Sequence, residues 1–248
     1  LCGQFYTMGV LDRENDPMGA AIWNYFVAAK DQQIIVKTDI AEDEELFPSY
    51  LFRDFDKMPE LEQKALEKCN GRILDVGAGA GSHALWLQQK GLNVSAIDIS
   101  PLSCQTMEKR GITDVRLIDV KQLEHEQYDT ILLLMNGLGI AGTLEGLDLL
   151  LNHLKTLLKP GGQILADSAD LIYLFTDEEG DIWVDLNDDK YYGQIEYRLS
   201  YQAQKGLPFN WLFVDPESLT YSAQKNNLQV TELMEGPNHD YLAVLKEI

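Results

Sequence analysis

From Arg72 onward, short apolar runs alternate with stretches of helical periodicity, the pattern of strand–helix units that build a parallel sheet. Ile73 to Val76 is the first run, and a helix from about Ser82 to Lys90 follows, ending at Gly91, which suits a left-handed cap. Leu92, Val94, Ala96 and Ile97 predict a second strand. Ser100 and Pro101 then take the cap and first-turn positions of a helix that closes at Gly111, and Val115 to Ile118 makes a third strand. In Asp129 to Met135 the unbroken apolar run Ile131 to Leu134 predicts a strand covered on both faces. Leu147, Leu150, Leu151, Leu154 and Leu158 recur at helical spacing, and Pro160, Gly161 and Gly162 stop that helix before a fifth strand, Gln163 to Ala166.

The flanks depart from this alternation. Residues 1–70 read as a cap of helices and loops, in which Asp16 caps a helix with Pro17 in its first turn and Ile22, Phe26 and Ala29 share one face. An acidic run from Glu42 to Glu45 precedes Pro48 and the aromatic Tyr50, Phe52 and Phe55, and a second helix runs from about Pro59 to Cys69. Downstream, Asp177 to Asp189 is acidic. Tyr191 to Tyr201 alternates like an antiparallel strand, with Ile195, Tyr197, Leu199 and Tyr201 on one side. Trp211 to Val214, a helix from about Pro216 to Asn226, and a final pair, Val230 to Met234 and Tyr241 to Leu245, are expected to complete the sheet. The organisation expected is one domain over residues 1–248, with a cap at 1–70, a core at 71–170, an insertion or lid at 171–205 and C-terminal strands at 206–248.

The chemistry centres on Ile73-Leu74-Asp75-Val76-Gly77-Ala78-Gly79-Ala80-Gly81-Ser82-His83, a strand entering a glycine-rich turn and then a helix. Glycines let a backbone approach a ligand closely, and a helix start offers free N–H groups and partial positive charge. A plain tight turn is the simpler account of such a loop. A dinucleotide fingerprint needs glycine or alanine at the sixth place of G-x-G-x-x-G, and counting from Gly77 that place is Ser82.

The run instead resembles the first motif of class I S-adenosylmethionine-dependent methyltransferases, an acidic residue followed by x-G-x-G-x-G, with Asp75, Gly77, Gly79 and Gly81 at the fixed positions and Ala78 between them. The resemblance extends over about Arg72 to Ser168, through the fourth strand and the turn Leu157-Leu158-Lys159-Pro160-Gly161-Gly162. It implies a Rossmann-like α/β fold, a seven-stranded, mostly parallel sheet in the order 3-2-1-4-5-7-6 with helices on both faces. The helical cap and the small antiparallel insertion lie outside it. It also implies S-adenosyl-L-methionine as cofactor, with Asp98 and the adjacent Ile99 at the ribose, Asp119 and Val120 at the adenine, and Met135, Asn136 and Gly137 facing the transferred methyl group. Helix capping is the duller account of Asp98, but Ser100 already supplies that cap; for Asp119 it is an ordinary turn aspartate.

Further candidates rest on residue type. Arg53 could clamp the cofactor carboxylate with paired hydrogen bonds, against a surface ion pair with Asp54 or Asp56. His83 and Asn136 are the candidate catalytic groups, although a lone histidine at a helix start more often packs than titrates. Tyr50, Tyr173, Tyr192 and Trp211 are candidate walls of an acceptor site. Asp167 and Asp170 could join an oxygen ligand near Asn136 around magnesium, but two loop aspartates are more often solvated or capping, so no metal is assigned.

Composition narrows the acceptor more than the fold. The 248 residues carry 40 acidic and 20 basic side chains, a formal charge of −20, and such a field repels phosphate backbones and anionic membranes. A small-molecule acceptor is favoured, a protein acceptor stays open, and nucleic acid is disfavoured. Cys2, Cys69 and Cys104 are too few for a disulfide framework or zinc site, and no signal peptide or membrane span is evident, which fits a cytoplasmic enzyme. The competing readings are an NAD-dependent oxidoreductase built on the same glycine turn, and a non-catalytic module that binds a cofactor or a protein.

Overall fold

The computed structural model describes residues 9–177, 179, 181 and 190–248. Most of the acidic stretch 177–189 therefore lies outside the described residues. The elements run α1 (Pro17–Ala28), β1 (Ile34–Thr38), β2 (Glu44–Leu46), α2 (Pro48–Leu51), α3 (Glu60–Lys68), β3 (Arg72–Val76), α4 (Ser82–Gln89), β4 (Asn93–Asp98), α5 (Pro101–Lys109), β5 (Val115–Leu117), β6 (Tyr128–Leu133), α6 (Leu144–Thr156), β7 (Leu158–Ala169), β8 (Gln194–Tyr201), β9 (Gln204–Lys205), β10 (Phe209–Leu212), α7 (Pro216–Lys225), β11 (Leu228–Glu235) and β12 (Asp240–Glu247). The main sheet has seven strands in the order β11-β12-β7-β6-β3-β4-β5, and a second sheet holds β10-β8-β1-β2 with β9 paired to β8. Counting only the strands of the main sheet, that order is the expected 3-2-1-4-5-7-6, and β12 runs antiparallel to both β7 and β11. Among the described residues no helix is long and apolar enough to cross a membrane.

The chain divides into two compact units, one of Leu1–Lys57, Leu74–Glu124 and Glu196–Phe209, the other of Met58–Ile73, His125–Ile195 and Asn210–Ile248. In the first, Asp16 caps α1 by accepting the Gly19 N–H at 2.8 Å, and Pro17 occupies the first turn, where its missing N–H costs nothing. The face expected from Ile22, Phe26 and Ala29 needs correction. Ile22 is fully buried, but Phe26 is 37% exposed and Ala29 is already the left-handed cap at φ 49°. The buried stripe of α1 instead includes Gly19, Ala21 and Ile22, small enough to lie close to α5.

The cap is not made of helices and loops alone. Ile34 and Val36 alternate inward on β1, which pairs antiparallel with β2 (Ile34↔Leu46) and with β8 (Ile35↔Ser200, Thr38↔Tyr197). The acidic run thus ends in a strand, and the segment expected as an insertion shares a sheet with the N-terminal region. Ile195 and Tyr201 of β8 are buried, as its alternation predicts. The short β1 spans five residues and lies between two strands, the nearby β2 and a β8 that comes some 160 residues later.

In the second unit, β7 begins at Leu158, inside the span read as helix, and α6 ends at Thr156. Pro160, Gly161 and Gly162 do not stop the chain before the strand. They fall where the β6–β7 register slips between Tyr128↔Leu158 and Thr130↔Gln163, so they bulge the strand rather than end it. Strand β10 is Phe209–Leu212 rather than Trp211 to Val214, and it joins the second sheet instead of completing the main one. Val214 turns away because its N–H is taken by the Ser168 hydroxyl at 3.0 Å. The core includes Tyr128, Ile131, Leu132, Leu151, Leu165 and Tyr241, all essentially inaccessible; the Tyr241 hydroxyl donates to the Val214 carbonyl at 2.6 Å, which removes the cost of burying it.

Candidate cofactor-binding site

The glycine turn leaves β3 with all three motif glycines left-handed, at φ 69° for Gly77, 57° for Gly79 and 80° for Gly81. Gly77 and Ala78 donate to the Ile97 carbonyl at 2.9 and 3.1 Å, and Gly81 closes the turn on Ala78 at 2.7 Å. The glycines answer to different demands. A Cβ on Gly77 would meet nothing within 4 Å, and one on Gly79 only the Gly77 carbonyl at 3.9 Å, so both present open backbone. A Cβ on Gly81 would stand 2.4 Å from Ile112 Cδ1 and 2.8 Å from Met107 Cγ, so this glycine is required by packing against the α5 region.

Around the turn stand three aspartates. Asp75 is 2% exposed and accepts the Ala84 N–H, yet its Oδ2 is buried with no hydrogen-bond partner; burial raises its pKa, with the facing His83 opposing. Asp98 ends β4, its Oδ2 accepting Gly79 N–H and its Oδ1 accepting Ser100 N–H, each at 2.8 Å. Burial pushes its pKa up to about 6; the two backbone bonds resist, and Asp16 and Asp75 add to the rise. Ser100, not Asp98, caps α5, with its hydroxyl accepting from Ser103 N–H at 2.9 Å. Ile99, half-buried, accepts Leu11 N–H on its carbonyl at 2.9 Å. Asp119 is buried and its Oδ1 caps the turn Val120–Gln122 through Lys121 N–H at 2.9 Å, with Val120 buried beside it.

Arg53 follows α2 in the same unit. It is 8% exposed, its Nη1 donates to the Tyr50 carbonyl at 2.6 Å and its guanidinium lies 4.0 Å from the Tyr50 ring centroid. The segment carrying it is fastened to the glycine turn's exit. Ser82 Oγ donates to the Leu51 carbonyl at 2.7 Å, and Phe55 stacks on Trp86 at 4.4 Å. Arg110, which no sequence pattern marked, donates to the Ala80 carbonyl and lies 4.7 Å from the Phe52 ring. His83 sits on the first turn of α4, buried, and faces Asp75.

Met135 and Asn136 belong to the second unit. Both are left-handed, at φ 64° and 56°, a conformation costly for residues with side chains. Their turn ends β6 at Leu133, two residues before the expected Met135. Asp167 holds it: one carboxylate oxygen accepts Met135 N–H and the other Gly137 N–H, both at 3.0 Å. Asn136 Oδ1 accepts from Ser168 Oγ at 2.9 Å and its Nδ2 donates to the Leu212 carbonyl at 3.2 Å, so its amide braces neighbouring strands. Asp170 accepts Ile172 N–H and the Tyr192 hydroxyl. Tyr173 stacks on His239 at 4.5 Å, Tyr192 meets Tyr191 and Phe175, and the Trp211 ring lies against Gly139, whereas Tyr50 is in the first unit. Replacing Asp167 with Ala leaves two N–H groups unpaired in a strained turn. The expected result is a loss of about 2 kcal/mol of unfolding free energy, with Asp167→Asn losing less because one acceptor survives. Urea denaturation measures both.

An open glycine turn at a strand–helix junction, flanked by an orphaned buried carboxylate oxygen and a second carboxylate ending the next strand, defines an α/β protein that binds a nucleoside-bearing cofactor. Residues 73–162 match the family profile described as a methyltransferase domain. The chain is 44% identical to a solved S-adenosylmethionine-dependent methyltransferase from Bacteroides fragilis in complex with S-adenosyl-L-homocysteine, with a TM-score of 0.89 over 96% of this chain and 97% of that one. It shares its fold, at 15% identity and a TM-score of 0.59, with the CcbJ methyltransferase from Streptomyces caelestis, over 78% of this chain and 94% of that one. The sugar N-methyltransferase KedS8 from Streptoalloteichus sp. gives 13% identity and a TM-score of 0.53, over 77% and 88%. No curated protein matches. The chain belongs to the S-adenosylmethionine-dependent methyltransferases. S-adenosyl-L-methionine is its cofactor, and the oxidoreductase and non-catalytic readings are set aside.

Proposed function

We propose that this enzyme holds S-adenosylmethionine on the first unit and methylates a small molecule. The carrying observation is the carboxylate of Asp98, held by Gly79 and Ser100 at the end of β4 beside open glycine backbone. Asp98 accepts the two ribose hydroxyls, Gly77, Ala78 and Gly79 provide the backbone surface, Asp119 and Val120 receive the adenine, and Ile99 lies beside the ribose. Arg53 binds the cofactor carboxylate, and Asp75 offers its unpartnered oxygen. The cofactor supplies an already activated methyl group, so the protein needs no covalent nucleophile of its own and acts by orientation and by excluding water. His83 packs against the Asp75 carboxyl and Asn136 braces the Met135–Gly137 turn, so both serve as positioning residues rather than as a general base.

The charge of −20 supports an uncharged or cationic acceptor over nucleic acid. Small-molecule acceptors are also named for proteins of the same fold, among them a sugar N-methyltransferase and 1,6-didemethyltoxoflavin-N1-methyltransferase. Among the described residues Cys69 and Cys104 are buried thiols, in no disulfide, which supports a reducing, cytoplasmic setting. Labelled methyl donor offered with a metabolite extract, a protein extract and total RNA tests the acceptor class. Label in small molecules alone is expected; transfer only to protein or RNA overturns the reading.

A further inference from the structure

Asp16 is wholly buried in the first unit, far from the glycine motif in sequence, and its carboxylate serves two elements at once. Oδ1 accepts the Gly19 N–H and so starts α1. Oδ2 accepts the Ser100 hydroxyl at 2.6 Å, with the Leu102 N–H at 3.5 Å. Ser100 caps α5 through its hydroxyl and donates its own N–H to Asp98 Oδ1, while Asp98 Oδ2 takes the Gly79 N–H. An unbroken chain of hydrogen bonds therefore runs from α1 to the glycine turn. Two further observations show how tightly it is built. A Cβ on Gly19 would stand 2.2 Å from Ser100 Oγ and 2.3 Å from Asp16 Oδ2, so α1 presses on the turn after β4 as closely as a chain can. Leu11 N–H also reaches the Ile99 carbonyl at 2.9 Å. Capping a helix needs only one oxygen and no burial, and a surface aspartate does it equally well. The second oxygen, and the full burial of a charge beside Asp98, are what capping leaves unexplained.

We propose that Asp16 is a positioning residue of the cofactor site: its carboxylate fixes Ser100, Ser100 fixes the Asp98 carboxylate, and seating of α1 and binding of cofactor are one coupled event. This rests on Asp98 being the ribose ligand. By linkage the coupling is reciprocal, so cofactor steadies α1 as much as α1 prepares the site. The charge of Asp16 also acts on Asp98 directly. The groups facing Asp98 are Asp16 before α1, Asp75 on β3 and Cys104 on α5, with Glu108 of α5 facing Cys104 and His83 of α4 facing Asp75 behind them. Of these, Asp16 and Asp75 hold the Asp98 carboxyl up, so removing the Asp16 charge lowers the pH at which Asp98 ionises.

The test titrates S-adenosylhomocysteine into wild type, Asp16→Ala, Asp16→Asn and Asp98→Ala by calorimetry from pH 5 to 8, with amide exchange of α1 read in parallel. Wild type is expected to lose affinity below about pH 6 and to show slower exchange along α1 when ligand is bound. Asp16→Ala weakens binding roughly tenfold at pH 8, where Asp98 is ionised, by cutting the chain. Asp16→Asn can keep both contacts by turning its amide nitrogen toward Ser100, so it binds within about threefold of wild type at pH 8 while the pH midpoint moves down. A merely structural cap lowers the melting temperature and leaves the pH 8 affinity untouched, and that result overturns the proposal. If the Ala variant does not fold, wild type decides alone: α1 exchange unchanged by ligand overturns the coupling. Wild-type binding by Asp98→Ala would instead overturn the ribose assignment beneath it.

Discussion

Asp98→Ala is expected to weaken binding of S-adenosylhomocysteine at pH 7.5 by roughly a hundredfold to a thousandfold, with little loss of fold. The variant removes an ionised acceptor that the two ribose hydroxyls would share, and hydrogen bonds to a charged group are each worth about 1.5–3 kcal/mol, where about 1.4 kcal/mol is tenfold. The side chain's protein contacts are to two backbone N–H groups, Gly79 and Ser100, both at a half-buried site that water can reach once the carboxylate is gone. Stability responds to pH in the opposite sense from binding. The folded-state pKa of Asp98 lies above the ordinary aspartate value, at about 6, so protonation favours the folded form. Its contribution to stability is fully present below the unfolded value near 3.8 and is lost as pH rises through about 6. Wild type should therefore gain stability relative to Asp98→Ala as pH falls from 7 to 5, while its hold on the ligand weakens. Calorimetric titration gives the first and thermal melts of both proteins across that range give the second. Equal affinities, or a stability difference that shrinks toward acid, would remove Asp98 from the role assigned to it.

Why so much of this site is visible in the sequence while its supports are not follows from where each signal lives. The strand, turn and helix of residues 73–90 are local: apolar run, glycines and cap occur in order, and β3, the left-handed turn and α4 appear where that order places them. The resemblance proposes Asp98 for the ribose, and Ser100 and Pro101, which account for the start of α5, leave the aspartate without that capping duty. The misreadings share one cause. The place of β1 between β2 and β8 is legible only beside β8, the bulge at Pro160–Gly162 only beside Tyr128, and the left-handed Met135–Asn136 pair only beside Asp167, each a partner distant in sequence. Asp16 was readable as a cap, which it is; its second oxygen belongs to a residue 84 positions on. Arg110 carries no pattern, because an arginine at a helix end is ordinary until the Ala80 carbonyl is seen in front of it.

Gly77 and Gly81, four residues apart in one motif, are expected to fail in different ways when each is given a side chain. Gly77→Val should fold with a modest penalty and bind S-adenosylhomocysteine at least a hundredfold more weakly. Its left-handed backbone costs a substituted residue about 1–3 kcal/mol, but the space beside it is empty of protein atoms and is where the proposed site puts the cofactor. Gly81→Ala carries the same backbone strain and in addition drives a methyl group to 2.4 Å from Ile112 Cδ1 and 2.8 Å from Met107 Cγ. Ile112 and Met107 are both buried, so overpacking adds about 1–3 kcal/mol to the strain, and the expected total is about 3 kcal/mol of lost stability. The two defects separate on one experiment, a melt with and without saturating ligand. Gly77→Val melts lower by the few degrees that its backbone strain costs and gains nothing from ligand, because it binds too weakly for mass action to help. Gly81→Ala melts several degrees lower and recovers part of that loss when ligand is added, because its open face at Gly77 and Gly79 is untouched. Were Gly77→Val stabilised by ligand as wild type is, the open backbone at that position would not be a cofactor surface, and the glycine would be there for the turn alone.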